Sequence, residues 1–360
     1  MRIVAAISTA PDEPLRLEEV KLAEPGAGEV LVRLVATGIC HTDRIAHMGR
    51  SAFPLPGVLG HEGVGKVVTV GPGVTGWAPD DAVLLGWPWC GHCRPCLTGR
   101  PRYCARQPEL IFGGGSSLRR LDGKPLAGGF FGQSSFATHT VVQARSLVPI
   151  QTSVPLTAVG TLACGFASGA GAVFHVARPE PGSTVVVIGV GAVGLAAVMA
   201  ARCTAAAEIL AVDRDPARLA LAAKCGATKT LEVSGVRNMA RAIRTLCDGP
   251  AESVIECTGD PKAIRHAVDA TAMPGVCCLV GMSPPGQTFT VDQQTTLRGK
   301  RIQGCLGGQE RAEVMVPALL RLAEQERFPF HEIVEYFPFE EAQEALWSAA
   351  VKPVLVFGSH

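Results

Sequence analysis

The chain carries no excess of either charge. Its 33 Lys and Arg face 32 Asp and Glu, a formal net charge of +1. A chain this close to neutral offers no electrostatic footprint for nucleic acid or for an anionic membrane surface. It has no uninterrupted apolar run of bilayer length, although 47% of its residues are hydrophobic and the mean hydropathy is +0.25. The opening stretch MRIVAAISTAPDEPLRLEEV turns acidic early and lacks the long apolar core of a signal peptide. An even set of cysteines is missing as well. There are 13 in 360 residues, which argues against a disulfide scaffold and toward metal ligation. These absences lead us to expect a soluble, cytoplasmic protein with neither nucleic acid nor membrane as a partner, large enough for two domains.

What is present is organised around residues 185–213. The β-branched run Val185-Val186-Val187-Ile188 reads as a strand buried on both faces. The loop Gly189-Val190-Gly191-Ala192-Val193-Gly194 follows, a G-x-G-x-x-G pattern, then an Ala-rich helix and a second strand, Ile209–Val212, ending in Asp213. Gly189 permits the tight turn, Gly191 lets a pyrophosphate approach the backbone, and Gly194 lets helix and strand pack closely. The helix N-terminus offers unpaired N–H groups to the phosphates. Asp213 stands where a carboxylate can accept hydrogen bonds from an adenosine ribose. A glycine pattern alone is weak. The full order of strand, loop, helix, strand and acid predicts a doubly wound dinucleotide-binding domain.

Upstream, residues 1–85 read as β-rich and barrel-like, with Val/Ile-containing runs at Arg2–Ile7, Glu29–Ala36 and Val64–Val70. Cys40 and His61 lie in Gly-flanked turns with Asp43 and Glu62 beside them. Each alone reads as a packed core residue; together they are ligands that suit zinc, with Asp43 able to fix an imidazole tautomer. The run Cys90-x2-Cys93-x2-Cys96-x7-Cys104 fits a closed tetrahedral zinc site, with an iron–sulfur cluster as the competing reading. Arg94, Arg100 and Arg102 are expected to offset its charge. Phe130-Phe131-Gly132-Gln133-Ser134-Ser135-Phe136 is either core or the apolar wall of a pocket. The small-residue stretch Leu162–Gly171 reads as a closely packed helix, and its Cys164 is a third candidate ligand for an open zinc site. The other cysteines (Cys203, Cys225, Cys247, Cys257, Cys277, Cys278 and Cys305) read as small hydrophobes. Val254–Glu256, Val276–Gly281 and Val354–Phe357 read as strands, and Ala312–Gln325 as an amphipathic helix.

The set GICHTD, GHEGVG, CGHCRPC…C, FFGQSSFATH, CGFASGAGAV and IGVGAVG…D resembles the zinc-dependent medium-chain alcohol dehydrogenases, and most resembles their aryl-alcohol (benzyl alcohol) branch. The resemblance implies a GroES-like β-rich catalytic domain over 1–158 and 308–360, with the structural zinc loop at about 90–104, and a Rossmann domain with a parallel sheet over 159–307. It implies Cys40, His61 and Cys164 as ligands of a catalytic zinc, Glu62 as a carboxylate assisting ligand exchange, and Cys90, Cys93, Cys96 and Cys104 as ligands of a structural zinc. It places Thr42 on the alcohol oxygen. Asp213 and Arg218 fall at the adenosine ribose of NAD, His41 and Lys352 at its pyrophosphate, and Ser168 and Val193 beside the nicotinamide. Gly86, Trp87, Phe130, Phe131, Met282 and Leu306 match the family's substrate pocket, between the domains. One departure is Ile45, which stands where many members have a proton-relaying His; the aryl-alcohol branch is similar in lacking it. His47 is nearby, and the proton is expected to leave through water or His41.

The implied chemistry is reversible oxidation of an aromatic or allylic primary alcohol to the aldehyde. Zinc would act as the Lewis acid and NAD as the hydride acceptor. The rivals are a thiol–formaldehyde adduct or a polyol as substrate, and a non-enzymatic zinc- and dinucleotide-binding sensor. A homodimer or homotetramer is expected, with the sheet edge near Ile302 as a self-pairing strand.

Overall fold

The computed structural model describes residues 1–115 and 117–358. The chain divides into two compact units: Met1–Cys164 with Arg311–Arg321 and Phe330–His360, and Gly165–Glu310 with Leu322–Pro329. Cys164 therefore falls with the first unit, and the segment Leu322–Pro329 packs with the second.

The first unit is built on antiparallel sheet. The strand Glu29–Gly38 sits at the centre of a seven-stranded sheet and pairs with Glu62–Val70, His139–Gln143 and Lys352–Val356. The parallel pair Val334–Pro338 and Lys352–Val356 brings the C-terminal segment back to that strand. A four-stranded sheet is formed by Arg2–Ser8, Arg16–Leu22, Gly57–Val58 and Leu118–Arg120. Apolar burial drives this arrangement. In Arg2–Ser8 the apolar Ile3, Ala5 and Ile7 are buried while Arg2 is exposed, and they join Val20, Leu59, Phe130 and Phe136 in one core. The short segment after Cys40 is helical over His41–His47, as its pattern predicts.

The second unit holds a six-stranded sheet, parallel throughout. Counted along the chain, the strands are Thr184–Ile188, Glu208–Asp213, Lys229–Glu232, Ala251–Glu256, Thr271–Leu279 and Lys300–Gly304, and they lie in the order third, second, first, fourth, fifth, sixth. That is the doubly wound order, with its switch point beside the first strand. The central strands are apolar runs because helices cover both faces: Val185, Val186 and Val187 are fully buried, as are Leu210, Ala211 and Val212.

The stretch around Cys164 is helical but not continuous. A 3-10 turn covers Gly160–Ala163, Cys164 breaks it with φ −134° and ψ −96°, and Gly165–Gly171 resumes as α-helix before a π-helical run over Ala172–Ala177. The break turns Cys164 out of the helical repeat. No disulfide joins any of the 13 cysteines. Among the described residues, no single helix is long and apolar enough to cross a membrane.

Candidate active site

The site begins with a hydrogen-bonded turn. Cys40 precedes the helix His41–His47, and Asp43 in its first turn folds back to accept from the Cys40 amide at 2.8 Å. Asp43 is fully buried, and it also accepts from the Gly60 amide at 3.1 Å and meets His61 Nδ1 at 2.9 Å. The aspartate thus ties the two Gly-flanked turns together. Its hydrogen bond places the proton of a neutral His61 on Nδ1 and leaves Nε2 as the free electron pair. Burial pushes the His61 imidazole down, but the charge and hydrogen bond of Asp43, with Cys40 adding to them, carry it up to about 10, so a metal ion would gain the Nε2 lone pair by displacing a proton. His61 Nε2 is buried and has no hydrogen-bond partner in the protein.

That orphaned nitrogen faces two thiols and a carboxylate. Cys40 Sγ and Cys164 Sγ are 4.0 Å apart, and ligand atoms of Cys40, His61, Glu62 and Cys164 all lie within 4.8 Å of one another. A buried nitrogen lone pair, two sulfurs and an oxygen at this spacing fit a tetrahedral zinc ion. Sharing a proton with Cys164 pulls the Cys40 thiol down, and the same contact, with burial, pushes Cys164 up. Thr42 Oγ1 stands 3.7 Å from Cys40 Sγ, so a hydroxyl sits beside the ligand set. His41 is exposed at the start of the helix.

Two of the basic residues near the site are buried. Lys352, expected at a pyrophosphate, pairs here with Glu62. It is 2% exposed, and its Nζ donates to Glu62 Oε1 at 2.6 Å and to the Ile39 carbonyl at 3.4 Å. A buried carboxylate beside thiols needs a counter-charge, and Lys352 supplies it. Burial pushes Glu62 up to about 7, with Lys352 pulling against it. His47 is buried too. It is 1% exposed, its Nδ1 lies 2.9 Å from Ser8 Oγ, and its ring packs edge-on against Trp347.

An aromatic wall covers His61. The Phe131 ring stacks on the imidazole at 4.5 Å and 27°, Trp87 meets Phe131 edge-on at 5.0 Å, and Phe112 meets it at 5.9 Å. Phe130 is fully buried, edge-on to Phe53 and His61, and belongs to the core rather than to a pocket surface. Gly86 packs against Ser146, its amide donating to the Ser146 carbonyl at 2.8 Å. Met282 and Leu306 belong to the second unit, where they are 59% and 41% exposed. Phe112 and the buried Gln133 are missing from the expected set. The Gln133 side chain donates to the His61 and Leu85 carbonyls and accepts from the Gly63 amide, which anchors the turn that carries His61. The signal for Gln133 was a long polar side chain between the aromatic residues Phe131 and Phe136.

The second cysteine cluster is equally compact. Ligand atoms of Cys90, Cys93, Cys96 and Cys104 lie within 4.8 Å of one another, with Cys93 Sγ and Cys96 Sγ 3.4 Å apart. Backbone amides bind the sulfurs: Cys93 N reaches Cys90 Sγ at 3.4 Å and Ala105 N reaches Cys93 Sγ at 3.4 Å. The N–H groups of His92 and Cys93 hold the Cys90 thiol down to about 6, while burial pushes Cys96 up to about 12. Four sulfurs this close together suit a structural zinc ion. The helper arginines differ from expectation in one case. Arg94 and Arg100 are exposed, but Arg102 is 4% exposed and lies over the Trp87 ring.

In the second unit, Gly189 adopts φ 84°, and a Cβ there would stand 2.6 Å from Thr258 Cγ2. A Cβ on Gly191 would meet only Arg218 Nη1, at 3.8 Å, so this position is open toward an approaching phosphate. Arg218 thus lies beside the loop, where it also pairs with Asp215 at 3.6 Å. Asp213 ends its strand as predicted, but its carboxylate is already engaged. It accepts from the amides of Val190 at 2.8 Å, Arg214 at 2.8 Å and Asp215 at 3.0 Å. Ser168 and Val193 come from neighbouring helices: Gly169 packs so closely on the Val193 carbonyl that a Cβ would stand 2.0 Å from it.

Comparison with known proteins gives this arrangement a class. Residues 26–152 match the alcohol dehydrogenase GroES-like domain, and residues 192–325 match the zinc-binding dehydrogenase model. The chain belongs to the zinc-dependent medium-chain alcohol dehydrogenase family, with a GroES-like and a Rossmann domain. It is 34% identical to a geraniol dehydrogenase of Castellaniella defragrans, over 98% of this chain and 97% of that protein. Among solved structures, it is 37% identical to an alcohol dehydrogenase zinc-binding domain protein from Burkholderia ambifaria (TM-score 0.96, all of both chains). It is 35% identical to the benzyl alcohol dehydrogenase of Acinetobacter calcoaceticus (TM-score 0.94, 99% of this chain and 100% of that one).

Proposed function

We propose that this oxidoreductase interconverts an apolar primary alcohol, aromatic or allylic, and its aldehyde, with NAD as the hydride carrier. The observation that carries the reading is a cluster of half-buried Cys40 with buried His61 and Cys164, in which His61 Nε2 has no hydrogen-bond partner and the imidazole is covered by Phe131, itself backed by Trp87. A zinc ion bound there supplies Lewis acidity toward an alcohol or carbonyl oxygen, and a bound nicotinamide takes or gives the hydride.

The chain's own residues do the rest. Asp43 orients His61, and Lys352 balances Glu62 in the same buried shell. Glu62 Oε2 is buried and unpartnered, so it can approach the ligand set when another oxygen leaves. Thr42 Oγ1, beside Cys40, is placed to accept the proton of the substrate hydroxyl. Ile45 offers no onward acceptor, and His47 is engaged with Ser8, so the proton passes to water or to the exposed His41. The apolar faces of Phe131 and Trp87 keep water from the reacting carbon and favour a planar, apolar substituent. Asp213, beside the Gly-rich loop, opposes the charge of a 2′-phosphate and supports NAD over NADP. The names of the 34% and 35% identical relatives, acting on geraniol and benzyl alcohol, agree with this substrate class. Self-association into a dimer or tetramer through the edge strand Lys300–Gly304 belongs to the same proposal.

A reduction screen with NAD⁺ and NADP⁺ across benzyl, allylic, short aliphatic and polyol alcohols and a hydroxymethyl thiol adduct tests it. The highest kcat/KM is expected for benzyl or allylic alcohols with NAD⁺. A higher value for the adduct or a polyol refutes the substrate class, and a preference for NADP⁺ refutes the role of Asp213.

A further inference from the structure

Arg102 lies in the 3-10 turn Pro101–Tyr103, which leads straight into Cys104 of the four-cysteine lobe. The other nearby arginines of that lobe, Arg94 and Arg100, are exposed, whereas Arg102 is 4% exposed. Its guanidinium carbon stands 4.7 Å from the Trp87 ring centroid, a cation–π distance. Trp87 then meets Phe131 edge-on at 5.0 Å and 69°, and Phe131 stacks on His61 at 4.5 Å and 27°. Three ring contacts thus run from the cysteine lobe to a ligand of the other metal site.

The last contact matters for geometry. The Asp43 hydrogen bond holds the imidazole at one corner and Phe130 meets it edge-on at 5.7 Å and 82°; neither contact lies on the ring face, so by themselves they leave the ring more freedom to tilt. A ring packed on the face removes that freedom and fixes where the Nε2 lone pair points. Phe131 itself sits at φ 49° and ψ 33°, a left-handed conformation that a bulky L residue keeps only where packing holds it. Trp87 supplies that packing from one side, and Arg102 backs Trp87.

We propose that Arg102 is a positioning residue. Through Trp87 and Phe131 it sets the plane of His61 and couples the four-cysteine lobe to the catalytic metal centre. The proposal rests on the reading that Cys40, His61 and Cys164 hold zinc.

Zinc release from the holoenzyme into excess chelator, followed with a chromogenic indicator, tests the coupling without reference to turnover. The catalytic-site phase is the one missing from Cys164→Ser. Arg102→Met is expected to speed that phase about five-fold, in line with one cation–π contact, while Arg100→Met, which removes the same charge from the same lobe, leaves it unchanged. In a Trp87→Leu background the Arg102→Met effect should vanish. An equal rate for Arg102→Met and wild type, or a full effect persisting without Trp87, overturns the proposal. Should Arg102→Met fail to accumulate with both zinc ions, Arg102→Lys carries the test, since it keeps the charge but loses the planar stack: release about two-fold faster supports the coupling, and release at the wild-type rate refutes it. If wild-type protein shows no phase that Cys164→Ser loses, the metal reading fails and the coupling falls with it.

Discussion

Lys352→Met separates two roles for one lysine. The ammonium is 2% exposed, the Glu62 carboxylate fully buried, and the two are 2.6 Å apart. Methionine keeps most of the length and volume but leaves Glu62 facing Cys40 and Cys164 without a counter-charge. Breaking a buried pair from one side costs about 3–5 kcal/mol. For a cooperative unit of 150–250 residues that is about 2–4 °C per kcal/mol, so the transition of the zinc-loaded first unit should fall by roughly 6–20 °C. Differential scanning calorimetry reads it directly. The double variant Glu62→Gln with Lys352→Met removes both charges and should recover most of the loss, because a neutral amide beside a thioether leaves no unpaired ion. If Lys352→Met melts with the wild type but binds NAD⁺ about ten-fold more weakly, Lys352 is a pyrophosphate ligand after all and the buried-pair argument is wrong.

Asp43→Asn keeps the shape of the turn but removes the charge that orients His61, so zinc affinity should fall about 10–100-fold, measured by competition with a chelator; unchanged affinity refutes the orienting role. Asp213→Ser should erode the preference for NAD⁺ and also destabilise the second unit by about 1–3 kcal/mol, since buried amides lose an acceptor. A change of coenzyme preference with no loss of stability would show that those hydrogen bonds carry no weight. His47 is buried, which lowers its proton affinity below the usual 6.5, with Asp12 opposing. The unfolded chain therefore takes up that proton first. The contribution of His47 to stability is complete above about 6.5 and is lost as pH falls through the lower folded value. In His47→Gln the denaturation midpoint should depend less on pH between about 5 and 7; an identical pH profile refutes this.

Much of the site was legible from the chain alone because its parts are local. The Gly189–Gly194 loop lies between its strand and helix, and Asp213 at the end of the next strand, because turn geometry and strand periodicity are written in consecutive residues. The four sulfurs of Cys90, Cys93, Cys96 and Cys104 are close in sequence, so a single lobe brings them together. Asp43 could be proposed as an acceptor because it lies in the first helical turn after Cys40. Other features depended on segments remote in sequence. Nothing around Lys352 announces Glu62, 290 positions away, because their two strands come near each other only as the neighbours on either side of Glu29–Gly38. Phe130 and Phe131 are adjacent, chemically alike and part of one core, yet Phe131 stacks on the face of His61 while Phe130 meets it edge-on; the left-handed turn at Phe131 gives the two rings different orientations. Composition and spacing determined which groups this protein has for holding metal and dinucleotide. Only the tertiary structure decided which charges meet in the interior and which ring faces the histidine, because those contacts join segments that have no local relation in the chain.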